Sequence, residues 1–202
     1  MNKPNFIFKT FLFLVLLSAT NVFAQSDNQK PQADACYEVV LQILIASNNP
    51  SEKSTLPPSL SNAVKKLKTN YSFSDYRLAT TFLQRTSNSI EYKSLLNDFT
   101  GLKDNSAPVF SEWSLRSLRS LPTANGRTAI QFESFRFGAR IPIVTGVRDE
   151  SGKTAPGIIY EAIGISTTRF SINENEPTVI GSLATSKPED LMFLVLTVKP
   201  AE

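Results

Sequence analysis

The sequence predicts an α+β domain, mostly antiparallel β-sheet, with one main helix near 58–69. Three observations carry this reading. Short runs rich in Val, Ile, Phe, Tyr and Thr recur from Cys36 to Lys199. Only one segment spaces its apolar residues as a helix does, and Asn, Gly and Pro break the runs at intervals suited to turns.

The chain opens with a different pattern. Lys3 and Lys9 precede the apolar run Phe11–Leu17, and Val22-Phe-Ala24 supplies small residues. This is the three-part pattern of a secretory signal peptide, with an apolar core too short to span a bilayer as a helix. Residues 1–24 are therefore expected to be removed on export, to the periplasm or the cell exterior. Residues 25–35 are polar and are expected to form a flexible leader, with residues 36–202 expected to form a single β-rich domain. Cys36–Ser47 is apolar on both parities, which predicts a strand buried on most of both faces. Leu60, Ala63, Val64 and Leu67 make the helical stripe, with Pro57 and Pro58 at its entry and Lys65, Lys66 and Lys68 on the other side.

Tyr76–Phe82 and Ile90–Leu95 read as consecutive strands of a hairpin or meander. Trp113–Leu121 has leucines at every third position, a spacing that fits neither strand nor helix well; it is taken as a strand. Asn125-Gly126 signals a tight turn. Beyond it, Ile130/Phe132 and Phe135/Phe137 alternate out of phase with each other, the trace of a β-bulge. Ile141–Val144 continues the strand, with Pro142 suited to an edge. Asp149–Gly157 reads as a polar loop, and 157–172, 178–181 and 191–199 as three more strands, the last central in its sheet.

Composition excludes several chemistries. Histidine is absent, which removes Ser-His-Asp and Cys-His catalysis and His-ligated zinc. Cys36 is the one cysteine, so no intrachain disulfide forms; the expectation is a small core residue. The net charge of +3 comes from 21 basic and 18 acidic residues, and two of the lysines lie in the signal segment, so no nucleic-acid surface is expected. No later apolar run approaches the roughly 20 residues of a membrane span.

Gly146–Thr154 looks like a phosphate loop, but five residues separate its glycines and Ala-Pro-Gly follows, so a hairpin loop is preferred. Asn173–Glu176 offers oxygen ligands without the spacing of a calcium loop, so a polar turn is preferred. Ser61 with Lys65, or Ser151 with Lys153, lacks the surrounding pattern of a serine–lysine catalyst. Glu112, Glu133, Glu161 and Asp98 are the carboxylates in or beside strands. With Trp113 and Tyr92, Glu112 and Glu133 make a carbohydrate-binding or carbohydrate-processing module the alternative function.

Gly138-Ala-Arg-Ile-Pro142, Ile159-Tyr-Glu-Ala-Ile-Gly164, Thr178–Ser182 and Glu189–Thr197 occur in this order. Together they resemble the C-terminal core of bacterial secretins, which carry Gly-x-x-Ile-Pro, Tyr-x-x-Val-Gly and a closing Glu-Leu-x-apolar-Thr strand. Val39–Ser47 also resembles the strand that begins that core. The spacing leaves no room for the gate and membrane-spanning hairpins, so the resemblance implies an assembly role in secretion or pilus machinery without the pore-forming parts. The expectation is an exported, non-enzymatic envelope protein, without cofactor or metal, that contacts envelope proteins or a second copy of itself. Edge pairing of strands is the expected mode, and Phe135, Phe137 and Pro142 are expected beside that edge.

Overall fold

The chain is described by a computed structural model over residues 36–49, 56–96, 108–148, 154–185 and 189–201. The signal segment and the leader lie outside the described residues. In chain order the elements are β1 (Tyr37–Ser47), a 3-10 turn (Pro58–Leu60), α1 (Ser61–Asn70), β2 (Asp75–Thr86), β3 (Ile90–Leu96), β4 (Val109–Arg116), β5 (Arg119–Pro122), β6 (Thr128–Arg148), β7 (Thr154–Asn173), β8 (Thr178–Ala184) and β9 (Asp190–Pro200). The described part is thus mostly antiparallel sheet with a single short helix.

The strands form two sheets. The first has the order β2-β1-β9-β8; the second runs β3-β4-β6, with β7 on the far side of β6 and β5 beside β6 past the end of β4. Val39, Leu41, Ile43 and Ile45 of β1, and Met192, Leu194, Leu196 and Val198 of β9, point between the sheets. There they meet Trp113 and Leu115 of β4 and Phe132, Phe135 and Phe137 of β6. The opposite face of the first sheet presents Leu44, Phe193 and Val195 to Leu60, Ala63, Val64 and Leu67 of the helix region. That helical stripe is the one read from the sequence; its first turn is 3-10, where prolines fix the entry. The helix stops at Tyr71, which turns to extended φ of −133° while its N–H donates to the Leu67 carbonyl at 2.8 Å. As expected, β9 is central, paired with β1 on one side and β8 on the other.

Three expectations need correction. β2 and β3 follow each other but do not pair: β2 is bonded to β1 and β3 to β4, because Ser87–Ser89 carries the chain from one sheet to the other. The proposed polar loop at 149–157 is shorter, since the β6–β7 ladder already pairs Arg148 with Thr154 and Thr145 with Gly157. Cys36 is exposed, not buried, because it precedes the first paired residue of β1.

The phase slip in β6 is real and is shared. Leu115 and Leu118, Phe132 and Phe135 are all buried at a spacing of three, not two. Yet β6 keeps one register with β4 and β5 on one side and with β7 on the other. Register survives because the neighbours slip in the same row. Ser117 and Arg169 adopt the left-handed conformation, with φ of 55° and 51°, on either side of Glu133. The Ser117 hydroxyl donates to the Glu133 carboxylate at 2.7 Å. The every-third leucines of the sequence are the two sides of this row.

Glu38 of β1 stands opposite Arg85 of β2 and Lys199 of β9, with Lys199 Nζ at 2.7 Å and Arg85 at 3.6 Å. The Lys199 hydrogen bond, then both cationic charges, hold its carboxyl below the ordinary value of 4.5. A lowered carboxyl favours the folded state above 4.5, and that contribution vanishes as pH falls through the lowered value. The melting-temperature gap between wild type and Glu38→Gln should therefore stay constant at neutral pH and close on acidification; thermal melts across pH check this. A second outcome concerns backbone approach. A Cβ at Gly164 would collide with the Phe137 carbonyl, whereas one at Gly138 would rest 3.6 Å from the Glu112 side chain. Gly164→Ala should cost about 1–3 kcal/mol and Gly138→Ala much less, read by denaturant unfolding.

Candidate interaction surface

β6 has 21 residues and β7 has 20, far longer than the strands beside them. Pairing with β4 ends at Phe110–Arg140, whereas pairing with β7 continues to Arg148–Thr154. Past Arg140 the described sheet is therefore a two-stranded ribbon, extending about 26 Å at the usual rise per residue. Ile143, Ile158, Ile159 and Tyr160 are exposed on it, and Leu95 and Phe110 are exposed at its foot. Ile158 and Ile159 are adjacent in a strand, so apolar side chains stand on both faces.

At the foot of the ribbon the outer face of the second sheet holds a groove of about 730 Å³, lined by Leu95, Phe110, Ala139, Tyr160 and Ile163 with Lys93, Glu112 and Arg140. Phe110 and Tyr160 meet edge to face at 5.5 Å between ring centres. Gly138 and Gly164 are register partners and leave the floor of the adjoining trough bare of side chains. Charges around it are partly paired: Arg116 to Glu91 at 3.4 Å, and Lys93 to Glu112 at 4.0 Å. The two short motifs Gly138–Pro142 and Tyr160–Gly164 face each other here, Pro142 opposite Tyr160.

Of the three residues expected beside an open edge, two are elsewhere. Phe135 and Phe137 are buried between the sheets, bonded on one side to Leu115 and Trp113 and on the other to Thr167 and Ile165. Their aromatic bulk is what places them there: β6 is central, and a central strand holds the largest core side chains. Pro142 does lie where β6 has lost its β4 neighbour, although its side chain is buried. Having no N–H, it blunts that side of the ribbon. The open edge belongs instead to β7, which among the described residues pairs only with β6.

The residues weighed for carbohydrate do not share a cleft. Trp113 is 2% exposed and Tyr92 packs against it at 6.2 Å, within an aromatic row that runs Phe82, Tyr92, Trp113, Phe135, Phe170. Both rings serve the core. Glu112 faces the groove, whereas Glu133 is held by Ser117 in the slipped row. Glu161 is on the ribbon, and Asp98 lies outside the described residues. In the Asn173–Glu176 turn, the Glu176 carboxylate accepts from Lys66 at 2.8 Å and from Asn173 at 2.7 Å. These bonds lower its pKa and occupy the oxygens that a cation would need. No group of three or more acidic or cysteine ligands converges among the described residues. Ser151 and Lys153 lie outside the described residues, and no described helix is long and apolar enough to cross a membrane.

Ile143, Ile158, Ile159 and Tyr160 were missed as a surface because strand residues with apolar neighbours normally signal burial. The available sign was Ile158-Ile159-Tyr160, an unbroken apolar run beside Pro156 and Gly157. No family model matches the chain, and no curated protein or solved structure is detectably similar to it.

Proposed function

We propose that this chain is an exported, non-enzymatic component of the cell envelope that acts by protein contact, as an assembly part of secretion or pilus-type machinery. The observation that carries the reading is the two-stranded ribbon with isoleucines on both faces and a β7 edge that is unpaired among the described residues. Two strands alone are marginal in water, and an open edge of this length is a template for another strand. The histidine-free sequence agrees with work done by surface rather than by acid–base chemistry. The secretin-like motifs Gly138–Pro142 and Tyr160–Gly164 pair with each other across the foot of this ribbon, which favours assembly by analogy.

The test is capture from a cell-envelope extract with the tagged protein and with the pair Ile158→Lys/Ile159→Lys. Both side chains are already exposed, so the fold should persist, checked by circular dichroism. Capture of a defined protein that the pair loses by tenfold or more supports the reading. Equal recovery by both proteins, or recovery of nothing, removes it. Export has its own outcome: protein recovered from the periplasm or medium should begin at Gln25, as read by N-terminal sequencing.

A further inference from the structure

Of the four sheet faces, two meet in the core and a third lies under the helix. The outer face of the second sheet has no layer over it among the described residues. Register fixes which side chains stand there. Leu95, Phe110, Arg140 and Ala162 form one row across β3, β4, β6 and β7. The next row is Lys93, Glu112, Gly138 and Gly164. Tyr160, two places from Ala162, shares its face. Leu95, Phe110 and Tyr160 are exposed, and they are the large apolar side chains of the groove of about 730 Å³ at the foot of the ribbon.

Charge around the groove and its adjoining trough is unequal. Lys93, Arg116, Arg136 and Arg140 stand there with two carboxylates, Glu91 and Glu112. Each carboxylate already has a cation: Lys93 for Glu112 and Arg116 for Glu91. Arg136 and Arg140 have no ion pair among the described residues. Arg140 is the one set in the apolar row, between Phe110 and Ala162. We propose that this groove binds one anionic amphiphile, a fatty-acid-like carboxylate. Its apolar body lies on Leu95, Phe110 and Tyr160, and its carboxylate accepts hydrogen bonds from the Arg140 guanidinium. This site goes beyond the reading of protein contact and does not depend on it.

The floor of the groove selects this occupant over a polymer. The volume is in the range of small-molecule sites, which are mostly apolar with a few polar groups that fix orientation. β4 and β6 are each paired on both sides at these rows, so the floor offers no free backbone donor or acceptor. An extended peptide laid here would bury its own N–H and C=O groups against apolar side chains, and a glycan its hydroxyls. An alkyl chain has no such groups to satisfy, and one acid meets one unpaired guanidinium. A cationic amphiphile would meet Arg140 with the nearby Glu112 already paired. The row crosses three strand spacings, about 14 Å, which suits a chain of dodecanoate length.

Isothermal titration calorimetry of the purified protein with dodecanoate, below its micelle concentration, tests the proposal. One saturable site is expected, and neither acetate nor dodecyltrimethylammonium should bind. Arg140→Gln and Phe110→Ser should each weaken dodecanoate by about tenfold, and Arg140→Glu should abolish it and admit the cationic amphiphile. Both positions are exposed, and circular dichroism confirms that each variant is folded. Absence of saturable binding, equal binding of the two amphiphiles, or wild-type affinity in both Arg140→Gln and Phe110→Ser overturns the proposal. Flotation with phosphatidylglycerol vesicles separates a free acid from a lipid surface: the protein should not float. Flotation without binding of monomeric dodecanoate also overturns the proposal.

Discussion

The structure depends on the pairing of β1 with β9. From Leu41 to Ser47 every residue of β1 is buried, and Met192 to Leu196 of β9 are buried without interruption. Two strands that are apolar on both faces cannot end a structure; each face must be covered. The second sheet covers one face and the proline-led helix region covers the other. The ion pairs of Glu38 sit at the end of these strands, where burial gives way to solvent. Everything outside this pair is cover, and the cover is where the fold leaves surface to spare.

That division explains what the sequence made legible. Val39–Ser47 and Leu191–Val198 are unbroken apolar runs, and their central placement follows directly from having no polar face. The stripe Leu60, Ala63, Val64, Leu67 has one period and one meaning. Phe132 and Phe135, three apart, announced a slip of phase in β6, but the bulge expected from it is not formed, because β6 keeps its register with β4, β5 and β7. What stayed hidden was anything decided by a second strand. Whether β2 and β3 pair or separate is set by how Ser87–Ser89 crosses between the layers, which no periodicity records. Phe135 and Phe137 have the same alternation in a central strand as they would beside an edge. The candidate surface was hidden for the same reason: exposure of Ile158 and Ile159 follows from the end of β4 at Phe110, many residues away in the chain.

The slipped row across β4–β5, β6 and β7 shows how a long strand can bend without losing its partners. A lone bulge changes register with each neighbour; here Ser117, Glu133 and Arg169 fall in one row, so the count on each side stays equal. The inner half of the sheet can then curve over the first sheet while the outer half runs on as the ribbon. Gly164 opposite Gly138 permits close backbone approach where that change of course begins.

Cys36 and Ala201 are joined at the corner of the first sheet, the Ala201 amide donating to the Cys36 carbonyl at 2.9 Å. The β7–β8 turn is nearby, where the Asn175 amide meets the Val198 carbonyl at 2.8 Å. This corner therefore adjoins the base of β7, at the opposite end of that strand from its tip. As the lone thiol of the chain, Cys36 is a natural chemical handle. A dye, bead or surface attached there would hold the molecule by its foot and present the isoleucine-bearing arm outward.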